Sequence, residues 1–282
     1  MILSVERRTI AAGPRTLSYI ATGPFPNGRV VVFLHAFPLN AEMWLPQLQG
    51  LPEGWSGIAP DFRGFGGSDP DAEDASRSDA GLEDYADDIA ALMDTLGASS
   101  AALCGCSMGG YAALAMRRRF PRRVNALLLA DTRATADSDT ARASRAAMLD
   151  LLDRDGPRSV AADMRLKLVG PTSQRDRPRV LAAIDGLMGS ATATGIGFAI
   201  ARMMNRPDAT PELAAFHGSV CVVVGEEDTL TPPGEAASMA ALVPGAPLVT
   251  IPRAGHLSNL EAPDAFNAAM HEWLAAVPEG AE

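Results

Sequence analysis

Between positions 29 and 110, short continuously apolar runs alternate with stretches in which apolar residues recur every third or fourth position. That alternation predicts strands and helices taking turns in a parallel sheet. Residues 30–34, Val-Val-Val-Phe-Leu, contain no polar position, as a strand covered on both faces requires. Leu82, Tyr85, Ile89, Leu92 or Met93, and Leu96 mark one face of a helix, which Gly97 stops. A strand follows over 100–104, a helix over 108–120 closed by Pro121, and a strand over 124–130. From about 133 to 216 the alternation lapses: Ala, Arg, Met and Leu recur at helical spacing and no run reads as a strand. It resumes with a strand at 219–224, a helix at 234–242, a strand at 248–251 and a helix at 263–276. The pattern predicts one α/β core, residues 1–133 and 217–282, whose mostly parallel central sheet is flanked by helices. An all-helical insertion interrupts it over 134–216. No internal repeat or low-complexity segment breaks this plan.

Composition narrows the chemistry. With 47% hydrophobic and 21% charged residues, the 282-residue chain can bury a sizeable core. Its 24 basic and 34 acidic side chains give a net charge of −10, which argues against nucleic acid or an anionic membrane as partner. The one lysine, Lys167, is followed by Leu168, so a Walker phosphate loop is absent, and nothing else favours Lys167 as a Schiff-base former. Four histidines without His-Glu-x-x-His, and three cysteines without Cys-x-x-Cys, give no support for a zinc site. The expectation is chemistry without metal or cofactor. Cys104, Cys106 and Cys221 lie in or beside apolar runs, which fits buried free thiols in a reducing compartment. The first eight residues lack a secretory pattern and no apolar run approaches ~20 residues, so a soluble cytoplasmic protein is expected. The oligomeric state stays open.

Candidate chemistry begins at Gly105-Cys-Ser-Met-Gly109. G-x-S-x-G alone is a weak signal, but this copy lies between an apolar strand and a helix, where a nucleophile elbow must lie. The sharp turn brings neighbouring chain close, so glycine is needed two positions either side of Ser107. A serine hydroxyl needs a base, and the base needs a carboxylate to fix its tautomer. His256 follows the last strand on a loop at the strand's carboxyl end, the edge that also carries Ser107. The segment Gly225-Glu-Glu-Asp-Thr-Leu-Thr-Pro232 follows a strand, and Asp228 within it is the expected acid; Asp131, ending the preceding strand, is its rival. Glu226 and Glu227 read as solvated turn acids. An oxyanion needs donors, and the Met108 and Phe37 N–H groups are the candidates.

These segments resemble the α/β-hydrolase superfamily over nearly the whole chain. His35-Ala-Phe-Pro38 is similar to its His-Gly-x-Pro oxyanion segment, with Ala36 where glycine is usual, and Asp61-Phe-Arg-Gly-Phe-Gly-Gly-Ser68 to its Asp-x-Arg-Gly-x-Gly-x-Ser loop. The resemblance implies that this loop is architectural and that the helical insertion is a cap. Thr231-Pro-Pro-Gly234 and the run from Gly255 to Asn267 resemble 3-oxoadipate enol-lactonases, which implies a small-molecule ester or lactone substrate. Cys106-Ser-Met-Gly-Gly110 is equally compatible with carboxylesterases, cofactor-free perhydrolases and C–C bond hydrolases. A lyase using the same three residues, and a ligand-binding receptor on the scaffold, are the readings from other classes. Met203 and Met204 in the insertion wall an acyl pocket or pack in the core. The nine acids between Asp69 and Asp88 are expected to form a solvated loop and a helix N-terminus.

Overall fold

The computed structural model describes residues 5–13, 15–22, 29–72 and 75–278. Eight strands, β1 (Val5–Ala12), β2 (Arg15–Thr22), β3 (Arg29–Leu34), β4 (Trp55–Pro60), β5 (Ala101–Cys106), β6 (Val124–Ala130), β7 (Ser219–Gly225) and β8 (Leu248–Ile251), form one sheet in the order β1-β2-β4-β3-β5-β6-β7-β8. The β1–β2 hairpin is antiparallel and β2 also runs antiparallel to β4; from β4 onward every neighbour is parallel. The helices are α1 (Leu45–Gln49), α2 (Glu83–Thr95), α3 (Met108–Arg119), α4 (Asp139–Asp155), α5 (Pro157–Met164), α6 (Pro171–Asp176), α7 (Pro178–Met188), α8 (Ala193–Asn205), α9 (Thr210–Ala214), α10 (Pro233–Leu242), α11 (Ser258–Glu261) and α12 (Pro263–Ala275). This is the α/β-hydrolase architecture, a mostly parallel sheet flanked by helices. Among the described residues, no single helix is long and apolar enough to cross a membrane.

The central strands β3, β5 and β6 are apolar because both their faces are covered: Val31 to Leu34 and Ala101 to Cys106 are buried throughout. Strands β1, β2 and β4 escape the hydrophobic pattern. β1 is an edge strand with half of its positions exposed and only Ala12 buried, and β4, Trp-Ser-Gly-Ile-Ala-Pro, dilutes its apolar positions with small residues. Between β6 and β7 the chain runs through α4 to α9 without a strand.

The acidic run departs from expectation. Glu73 and Asp74 lie outside the described residues, and Asp84 does sit in the first turn of α2. Asp71, Asp84 and Asp88, however, converge on two arginines rather than on water. Arg202 of α8, with no exposed surface, donates to both oxygens of Asp71 at 2.9 and 2.6 Å and to Asp84 at 2.7 Å. Arg63 donates to Asp88 at 2.5 and 2.9 Å and to Asp71 at 3.3 Å. A buried guanidinium must be matched by charge, and these carboxylates supply it, tying α8 to α2 and to the loop after β4.

Candidate active site

Ser107 occupies the turn between β5 and α3 with φ 53° and ψ −116°, a strained conformation for a residue with a side chain. Its N–H donates to the Ala130 carbonyl at 2.9 Å, and its own carbonyl accepts from the Thr132 hydroxyl at 2.7 Å, so the turn is fixed from β6. The flanking glycines are sterically required. A Cβ on Gly105 would lie 2.4 Å from the Gly109 carbonyl oxygen, and one on Gly109 would lie 2.0 Å from that of Leu34.

The loop after β8 brings His256 Nε2 to 2.8 Å from Ser107 Oγ, and His256 Nδ1 lies 2.9 Å from Asp228 Oδ2. A carboxylate only accepts, so Nδ1 carries the proton and neutral His256 presents an acceptor to the serine hydroxyl. Asp228 also accepts from the Leu230 and Thr231 N–H groups at 2.8 and 3.0 Å and from the Thr231 hydroxyl at 2.6 Å. Burial works against its charge, but the imidazole and these donors outweigh it and hold Asp228 below its ordinary pKa. For His256, burial likewise opposes protonation, while Asp228 first, then Asp131 and Glu261, push its pKa above the ordinary imidazole value. The three groups can thus pass a proton from hydroxyl to imidazole while the carboxylate holds the ring.

Asp131 is not the ring's partner. Its Oδ1 accepts from Gly225 N–H at 2.8 Å, and its Oδ2 accepts from the Ser258 hydroxyl at 2.5 Å and Ser258 N–H at 3.2 Å. Burial, then the charge of Asp228, pushes it up to about 8. Glu227 does not read as a solvated acid either: its carboxylate accepts from Thr172 N–H at 2.8 Å and from the Thr172 hydroxyl at 2.5 Å. His35 donates Nδ1–H to the Ala36 carbonyl at 2.9 Å and accepts from Phe62 N–H at 3.0 Å; burial lowers its pKa to about 4 and keeps it neutral.

Ser107 and His256 open into a cavity of about 570 Å³ between the carboxyl ends of the strands and α4, α5 and α8. Phe37 lines it beside them, and Met108 opens α3, whose first N–H groups have no partner within the helix. Met203 lines the cavity as well. Met204 does not: half-buried, it packs on the core, because adjacent helix positions point about 100° apart. Sequence reading missed Tyr111 and Arg133, both in the cavity wall. Arg133 carries no motif that would mark it, although its place two residues beyond Asp131 at the end of a strand puts it on the right edge.

Residues 29–263 match the family model described as alpha/beta hydrolase fold. A thermophilic esterase from Thermogutta terrifontis, solved with malate bound, superposes with a TM-score of 0.87 at 36% identity, covering 96% of this chain and 99% of that one. The chain is 25% identical to 3-oxoadipate enol-lactonase 2 of Acinetobacter baylyi over 93% of its own length and 94% of the relative's. It is 26% identical to a putative carbamate hydrolase RutD of Cronobacter turicensis over 92% and 95% of the two chains. With these relatives and this sheet, the chain is a hydrolase and belongs to the α/β-hydrolase family.

Proposed function

We propose that this hydrolase cleaves a small carboxylic ester or lactone through an acyl-enzyme on Ser107. The observation that carries the reading is the continuous bond path Ser107 Oγ to His256 to Asp228, with the hydroxyl facing the 570 Å³ cavity. Ser107 Oγ attacks the carbonyl carbon as His256 Nε2 takes its proton; Asp228 stabilises the imidazolium. The N–H groups of Phe37 and Met108 receive the oxyanion, each such donor contributing roughly 2.7–4 kcal/mol. His256 then returns the proton to the departing alkoxide, and activates water to release the acid and restore Ser107. Residues 134–216 act as the cap that shapes the substrate pocket, and no metal or cofactor takes part.

The cavity wall carries paired charges: Asp137 bonds Arg145 at 2.5 Å and Arg206 at 2.7 Å, Lys167 bonds Asp163 at 2.8 Å, and Arg133 lies 3.8 Å from Glu235, so neutral and carboxylate-bearing substrates are both to be tested. The enol-lactonase and esterase names among the relatives fit the ester or lactone reading.

The test is a fluorophosphonate probe and a panel of neutral and carboxylate-bearing p-nitrophenyl esters, applied to the wild type and Ser107→Ala. Labelling at Ser107 alone, with activity reduced by several orders of magnitude in the variant, is expected. Labelling at another serine, or full activity of Ser107→Ala, refutes it.

A further inference from the structure

Two carboxylates outside the bond path join the insertion to the loops that carry His256 and Asp228. Glu261, almost fully buried, turns back from α11 so that its Oε1 accepts from the N–H groups on both sides of His256, Gly255 at 2.8 Å and Leu257 at 3.3 Å. Its other oxygen accepts from Gly170 N–H at 3.0 Å, in the insertion. Beside it, Glu227 holds Thr172 through the two bonds described above while its own N–H donates to the Ala254 carbonyl at 2.7 Å. The backbones meet closely here: a Cβ on Gly255 would lie 2.1 Å from Gly170 N. Residues 170–172 are therefore seated on the Asp228 turn and the His256 loop at once.

We propose that Glu261 and Glu227 are positioning residues that make the seating of the insertion at Gly170 and Thr172 a condition for the His256–Asp228 geometry. The proposal rests on the reading of His256 as general base. A carboxylate can accept on both oxygens, so one Glu261 side chain satisfies three N–H groups from two segments. An amide cannot: with one acceptor oxygen, Glu261→Gln must confront either Gly170 or the His256 loop with a donor. Small displacements at a reacting pair are costly, since a 1 Å misplacement costs on the order of a hundredfold in rate. Glu261 also acts through its charge. The charged and titratable groups around His256 are Asp228 from the β7 turn, Asp131 from the end of β6, Glu261 from α11 and the neutral Cys106 thiol on β5, with Tyr111, Arg133, Asp137, Arg145 and Lys167 along the cavity wall. Removing the Glu261 charge lowers the His256 pKa.

The experiment compares wild type, Glu261→Gln and Gly170→Ala, as full chains, with p-nitrophenyl acetate and the fluorophosphonate probe. Gly170 does not line the cavity, and a Cβ there would lie 2.9 Å from Glu227 Cβ and 3.0 Å from Gly255 N, so it loosens the latch from the insertion's side. In Glu261→Gln, kcat should fall by about tenfold to a hundredfold with KM changed far less, and the acid limb of kcat/KM should move to lower pH. Gly170→Ala should show the same kcat loss with the limb in place, because Glu261 keeps its charge. A lowered melting temperature with unchanged kcat and limb in the folded protein would overturn the proposal. If Glu261→Gln fails to fold, an unchanged kcat in Gly170→Ala overturns it alone. A wild type that the probe does not label at Ser107 would instead overturn the general-base reading.

Discussion

The Ser258 hydroxyl donates to Asp131 at 2.5 Å, and that bond, with the one from Gly225 N–H, commits the Asp131 carboxylate to the backbone around His256 rather than to the ring. Asp228 is the carboxylate at Nδ1, with the Thr231 hydroxyl oxygen also 3.2 Å from that nitrogen. In Asp228→Asn the amide can present a donor to Nδ1, leaving the imidazole in the wrong tautomer, and kcat should fall by roughly 10⁴. Asp131 lies off the path from Ser107 through His256 to Asp228, so Asp131→Asn should cost far less than Asp228→Asn. Steady-state kinetics of both variants at pH 7 decide the ranking, and the reverse order would move the acid to the end of β6.

The pH dependence follows from the same charges. His256 accepts a proton only when neutral, and Asp228, Asp131 and Glu261 outweigh burial to raise its pKa. Activity should therefore be lost as pH falls through a value above the ordinary imidazole pKa of about 6.5. A kcat/KM profile in buffers of constant ionic strength locates this limb. A limb at or below the ordinary value would mean that the three carboxylates do not act on His256.

The elbow, the histidine loop and the acid turn were legible because each depends on local chemistry. Gly105 and Gly109 are demanded by contacts with nearby backbone, and Ser107, Asp228 and His256 each follow an apolar strand. Pairings across the chain leave no such mark. Asp71 and Arg202 are 131 positions apart, and nothing local distinguishes Asp71 from exposed Asp69. The Met203-Met204 pair shows a different limit: composition flags both, whereas helix geometry lets only one face the cavity. Strand β1 was missed because half of its pattern faces solvent.

Arg202 gives a stability prediction. Replacing it by methionine leaves Asp71, whose side chain is 4% exposed, short of its buried partner, and should cost about 3–5 kcal/mol. Burial opposes the charge of Asp71, but the bond and charge of Arg202 hold its pKa below the ordinary value. This stabilisation is present above the ordinary carboxylate pKa and fades as pH falls through the lower folded value, so the variant's deficit should narrow in acid. Adding Asp71→Asn should recover part of the loss at neutral pH. Urea unfolding of the single and double variants measures both effects, and a deficit below about 1 kcal/mol for Arg202→Met would show that the ion pairs contribute little net stability.

Met203 and Met204 test whether the insertion sets acyl preference. Met203 is buried at the cavity wall, where its sulfur accepts from Arg145 Nη1 at 3.3 Å; Met204 faces away and packs on the core. Truncation at 203 enlarges the cavity and frees Arg145 to move, so Met203→Ala should raise kcat/KM for a hexanoyl ester relative to an acetyl ester. A gain or loss of one methylene in an apolar pocket is worth about 1–3 kcal/mol, which puts the shift in that ratio at tenfold or more. Met204→Ala should leave the ratio unchanged and lower the melting temperature, since it removes packing without opening the pocket. Measuring both variants across an acyl series separates the two roles. Equal losses for every ester in Met203→Ala would place the acyl pocket elsewhere along the cavity.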